Sequence, residues 1–212
     1  MPAITSSAGA SRTPVRPSGW PARRTPRWIW LAAIPLVAVA VAVALVHHPS
    51  RAERASDLRG YLQELTTDTE SCAAGVSESL TALRLVQAGH NSPSDVADAI
   101  SVARQGAANC GPAENEQIDD LENYQAPESL DGFGLVAVVT SLVNWVAPDA
   151  VDVQADVANL LAATTPPARA EASVALSRAI TVLNAQRAAV NGPISKAITA
   201  LRLPAAPLRL PG

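Results

Sequence analysis

Residues 58–83 read LRGYLQELTTDTESCAAGVSESLTAL. Within them Leu58, Leu62, Leu65, Thr69, Cys72, Val76, Leu80 and Leu83 recur at steps of three and four, the spacing that aligns side chains on one face of an α-helix. A half-buried strand would alternate at every second residue instead. The pattern predicts one long helix over about residues 51–88 with an apolar seam. Two steps of four in succession, ending at Leu80, form a stutter that relaxes any left-handed supercoil. Gly60 and Gly75 fall inside this helix and weaken it by about 1 kcal/mol each relative to Ala.

Working outward, Gly89-His90-Asn91-Ser92-Pro93 places a helix stop directly before a helix start: Gly at the C-terminal cap, Ser92 as N-cap, Pro93 in the first turn. A second helix to Asn109 follows, with Val96, Ile100, Ala103 and Ala107 expected inward. A short acidic helix over residues 114–124 turns Ile118 and Leu121 inward. Leu130 to Val146, the most apolar part of this region, is interrupted by Thr140, Ser141 and Asn144, so it is expected as a buried core helix rather than a second span. Pro148-Asp149 restarts a helix to Ala163, and Thr165-Pro166 opens another to Val190. Asn191-Gly192-Pro193 is expected to break that helix before a last short one over 194–203, and the Pro-rich end, 204–212, is expected to be flexible. The core must be built from Leu, Val, Ile and Ala, because Tyr61, Tyr124, Phe133 and Trp145 are the only aromatic residues after position 46. The fold class is therefore all-α, a bundle of about five to six helices over residues 47–203.

The two cysteines, Cys72 and Cys110, lie 19 residues before and 19 residues after Asn91. Antiparallel packing of a hairpin turning there brings both to the same height, so a disulfide between them is expected, acting as a staple. No Cys-x-x-Cys redox motif is present.

Upstream, Ile29 to Val46 carries no charge, and a helix from Trp28 to Val46 would be about 28 Å long, close to the roughly 30 Å hydrocarbon thickness of a bilayer. Residues 28–46 are expected to be an uncleaved signal-anchor helix. Trp28 and Trp30 suit one headgroup region, and His47, His48 and Pro49 close the other end. Residues 1–27 hold Arg12, Arg16, Arg23, Arg24 and Arg27 with no acidic residue, so the positive-inside bias predicts a disordered cytoplasmic tail, one membrane span and an extracytoplasmic C-terminal domain. An oxidising compartment would preserve the staple.

Residues 47–212 hold 11 Lys+Arg against 19 Asp+Glu, a net of −8, which argues against a nucleic-acid partner. Gly132-Phe133-Gly134-Leu135-Val136-Ala137 has the letters of a dinucleotide fingerprint but lacks the strand that must feed it. Glu114, Glu116, Asp119, Asp120 and Glu122 offer oxygen ligands without an Asp-x-Asn-x-Asn-Gly loop, and read as a solvated acidic face. His47 and His48 are adjacent and point apart on a helix, and His90 has no nucleophile-elbow sequence to serve. No residue is nominated as catalytic, as a metal ligand or for a cofactor. The seam of the first helix is expected to pack onto the second helix rather than zip to another copy, although a homo-oligomer is compatible with it.

Leu142-Val143-Asn144-Trp145-Val146-Ala147-Pro148-Asp149-Ala150, continuing through Asp152-Val153-Gln154-Ala155-Asp156-Val157, resembles a segment of uncharacterised actinobacterial single-pass membrane proteins. The resemblance covers about a sixth of the chain and implies no activity and no site residues. The expectation is a non-enzymatic, membrane-tethered helical module that binds another protein or stabilises an envelope assembly. The alternative is a sensory or small-ligand bundle holding its ligand near Trp145.

Overall fold

The structure is a computed structural model that describes residues 49–111 and 116–212. The expected cytoplasmic tail and the expected span, 1–27 and 28–46, lie outside the described residues. What is described forms one compact unit of helices, and no strand occurs among the described residues.

Helix α1 runs Arg51–Gln87. Its start is a capping box: the Ser50 hydroxyl accepts from the Glu53 backbone N–H at 3.1 Å, and the Glu53 carboxylate accepts from the Ser50 N–H at 3.3 Å. All eight seam residues are buried, and a second stripe of Ala55, Tyr61, Asp68, Gly75 and Ser79 is buried beside them. The burying face is therefore wider than a coiled-coil seam, because α1 is covered by several helices of its own bundle.

Helix α2, Pro93–Cys110, starts with a second capping box made by Ser92 and Asp95. Its buried residues are Ala99, Ala103, Gly106 and Cys110, whereas Val96, Ile100 and Ala107 are only partly covered. The helix is thus rotated from the expected face. Close approach of Gly106 to α1, described below, sets that rotation and leaves the larger side chains at the edge.

Helix α3 spans Glu116–Asn123, and a single 3-10 turn follows at Glu128–Leu130. The apolar segment expected to be helical from Leu130 starts its helix later, as α4, Val136–Asn144. Gly132 and Gly134 have φ of 89° and 75°, so the two glycines of the fingerprint-like motif make a turn that only Gly adopts without strain. Between α4 and helix α5, Val151–Ala162, the backbone is extended at Ala147 and the Ala147–Pro148 peptide is cis. The stretch Val136–Ala162 is long and apolar enough to cross a membrane by length and composition. Here it bends at Ala147, and Val138, Leu142, Trp145, Val146, Val153 and Val157 lie fully buried in the core.

Helix α6, Pro166–Leu201, corrects one expectation: Asn191-Gly192-Pro193 does not break it. Pro193 removes a backbone donor, a cost of about 3 kcal/mol within a helix. Beyond it, Ile194, Ala197, Ile198 and Leu201 continue the buried face begun by Leu176, Leu183 and Val190, and their burial, at roughly 1.5–3 kcal/mol for each large side chain, outweighs that cost. At the far end, the Arg51 side chain donates to the Leu201 carbonyl at 3.3 and 2.9 Å, tying the first residue of α1 to the last of α6. The Pro-rich end has no regular structure, but it is not loose. Leu203, Leu208 and Leu210 are buried, and Asn191 Nδ2 donates to the Leu208 carbonyl at 3.1 Å.

Candidate functional site

Two places in this bundle bring polar groups together against the apolar pattern. The first joins α1, α2 and α5. Cys72 and Cys110 stand at bonding distance, Sγ to Sγ 2.07 Å with Cα atoms 4.8 Å apart, as the spacing about Asn91 predicted. Beside them lies Gln154, wholly buried. Its Nε2 donates to the Ala150 carbonyl at 3.0 Å and to Cys110 Sγ at 3.2 Å, and its Oε1 accepts from the Ser79 hydroxyl at 3.2 Å. A Cβ placed on Gly106 would stand 1.9 Å from that Oε1, and one on Gly75 would stand 2.9 Å from the Gly106 Cα. The glycines are spacers: they let α1 and α2 close far enough for one glutamine to bond both the opposing helix and the sulfur. With every polar atom of Gln154 partnered and no solvent access, this cluster sets helix register, as the disulfide does.

The second place is the outer groove between α5 and α6. Thr165 caps α6 by accepting from the Ala168 N–H at 3.4 Å, with Pro166 in the first turn, and the short link turns α6 back along α5. Asp149, Asp152 and Asp156 follow at steps of three and four, so they share one face. They line a groove of about 410 Å³ with Ala175, Arg178, Ala179 and Val182 of α6. Burial first, and then the charge of Asp152, push the Asp149 carboxyl above its ordinary range. Burial likewise raises that of Asp156, a hydrogen bond with Asn159 lowers it, and Asp152 raises it again. The Asp149 Oδ2 is buried and has no hydrogen-bond partner. Bordering the carboxylates, Val174 and Val182 stand on the α6 surface 51% and 47% exposed, with Ser173, Ser177, Arg178 and Thr181 around them. Two half-exposed valines with Arg178 between them, beside three carboxylates, are therefore open along the first half of α6.

This face went unread in the sequence, where Asp149 served only as a helix start; the step pattern 149, 152, 156 was the available signal. The residues weighed there lie elsewhere. Asp119, Asp120 and Glu122 are solvent-exposed on α3, and His90 is exposed at the tip of the α1–α2 hairpin. Trp145 is wholly buried, and its indole Nε1 has no hydrogen-bond partner. Among the described residues no group of three His, Cys, Asp or Glu is placed to hold a metal ion. No protein family, curated protein or solved structure matches the chain.

Proposed function

We propose that this chain is a single-pass, membrane-anchored helical protein whose extracytoplasmic bundle is a non-enzymatic protein-interaction module of an envelope assembly. The single observation that carries the interaction reading is the exposed apolar stripe of α6. Val174 and Val182 lie eight residues apart on α6, Val182 at the edge of the groove against α5, and both are about half exposed. The anchor rests on the uncharged run Ile29 to Val46 and its arginine-rich leader. The test is a photo-crosslinking residue placed at Val182 of the full chain in its native membrane, with the same residue at the exposed Asp119 of α3 as the control. The reading expects a discrete adduct from position 182 and none from 119; no adduct at 182 overturns it.

A second reading has one observation in its favour. The C-terminal segment Ala206–Pro211 and the α1 residues Leu62, Thr66, Thr69 and Ala73 enclose a largely apolar groove of about 670 Å³, in the size range of small-ligand sites. A ligand seated there would support sensing by this bundle, and would act away from Trp145.

A further inference from the structure

We propose that the α5–α6 face receives a basic amphipathic helix of a partner protein. This deepens the interaction reading above and rests on it.

The chemistry of the occupant follows from the two halves of the face. Val174 and Val182, eight residues or just over two turns apart, ask for apolar side chains on one stripe of the visitor, at the i, i+4, i+7 spacing of a helix laid along a groove. The small side chains of Ser173, Ser177 and Thr181 beside them let a helix axis come close. One flank of the stripe carries Asp149, Asp152 and Asp156 against the single cation Arg178, so the face is net negative on a domain that is itself net negative. A second copy of the same face would bring like charge to like. A helix with Lys or Arg along one edge does the reverse: its cations meet the exposed Asp152 carboxylate and the half-buried Asp149 and Asp156.

The experiment uses the full chain in zwitterionic lipid nanodiscs, with empty nanodiscs subtracted. The probes are two fluorescent 21-residue helical peptides of identical Leu/Ala stripe, one with Arg along the flanking edge and one with Glu. Anisotropy is expected to show saturable binding of the Arg peptide and none of the Glu peptide. Asp152→Asn with Asp156→Asn, and separately Val174→Ser with Val182→Ser, are each expected to weaken binding by about tenfold or more, the scale of losing close charge pairs or apolar anchors. Asp119→Asn with Glu122→Gln, which removes the same two negative charges from α3, is expected to change it less than twofold, and circular dichroism confirms that each variant is folded. Equal binding of both peptides, or equal loss from the α3 variant, overturns the proposal by reducing it to non-specific attraction. A crosslink from Val182 to a second copy of this chain also overturns it while leaving the interaction reading intact. Absence of any crosslink removes both.

Discussion

Gly106→Ala tests the packing that holds α1, α2 and α5 together, because helix propensity and tertiary structure predict opposite signs. On propensity alone the change stabilises by about 1 kcal/mol. In the fold the new Cβ falls 1.9 Å from Gln154 Oε1 and 3.1 Å from the Gly75 carbonyl, and Gln154 is not at the free end of a surface chain: it is wholly buried and bonded to Ser79, Ala150 and Cys110. Overpacking a site of this kind costs about 1–3 kcal/mol. Displacing the amide leaves buried polar groups unpaired, about 1–3 kcal/mol more. Set against the propensity gain, the net loss is about 3 kcal/mol. For a domain of this size that lowers the melting temperature by roughly 6–12 °C. Gly60→Ala on α1, where nothing lies within 4 Å of the added Cβ, is the matched control and should raise it by about 2–4 °C. Thermal unfolding of the full chain followed by circular dichroism reads both. Adding Gln154→Ala to Gly106→Ala should recover part of the loss, a non-additivity that two independent sites would not show. A neutral or stabilising Gly106→Ala would refute the close approach of these helices.

Replacing both Cys72 and Cys110 by Ala opens a link across 38 residues and should lower stability by about 4 kcal/mol on the chain-entropy account, measured by urea denaturation against the oxidised wild type, while the reduced wild type should match the variant. Leu208→Ala should cost about 2–4 kcal/mol because that side chain is buried against the bundle; a freely moving C-terminal segment would give no change in melting temperature. Asp68, buried on α1, has its carboxyl pushed up by burial, then by Glu64 and Asp120. With Asp149 and Asp156 also raised, the folded chain holds protons that the unfolded chain releases. These three groups therefore favour the fold more as pH falls from neutral toward the ordinary carboxylate value of 3.8, and Asp68→Asn should flatten that part of a stability–pH profile. A profile with the same slope in the variant would show that Asp68 is solvated. Tyr61 donates to the Leu135 carbonyl at 3.2 Å, and Tyr61→Phe should cost about 1 kcal/mol by thermal melt, leaving that carbonyl with the Val138 N–H alone.

Much of the architecture was legible in residue spacing. The 3–4 step pattern of α1 named its buried seam, the Ser-Pro start at residue 92 placed α2, and equal distances from Asn91 put Cys72 opposite Cys110. These are local or nearly local properties: periodicity, caps and the length of a hairpin arm. What spacing could not supply was competition between local signals and burial. Asn191-Gly192-Pro193 reads as a break, yet α6 runs through it because Ile194, Ile198 and Leu201 gain more from the core than the proline takes away. Proline-rich composition suggests a loose end, yet Leu208 and Leu210 find an apolar surface to cover.

The chain alone determined that it would be helical, where its first two helices begin and which cysteines face one another, since each follows from the geometry of a single helix or of one hairpin. Tertiary structure alone decided the rotation of α2, the partners of Gln154 and the meeting of Asp149, Asp152 and Asp156 with the open stripe of α6. Those depend on which helices lie side by side and at what separation. Contacts between helices far apart in sequence carry no period for a one-dimensional pattern to reveal.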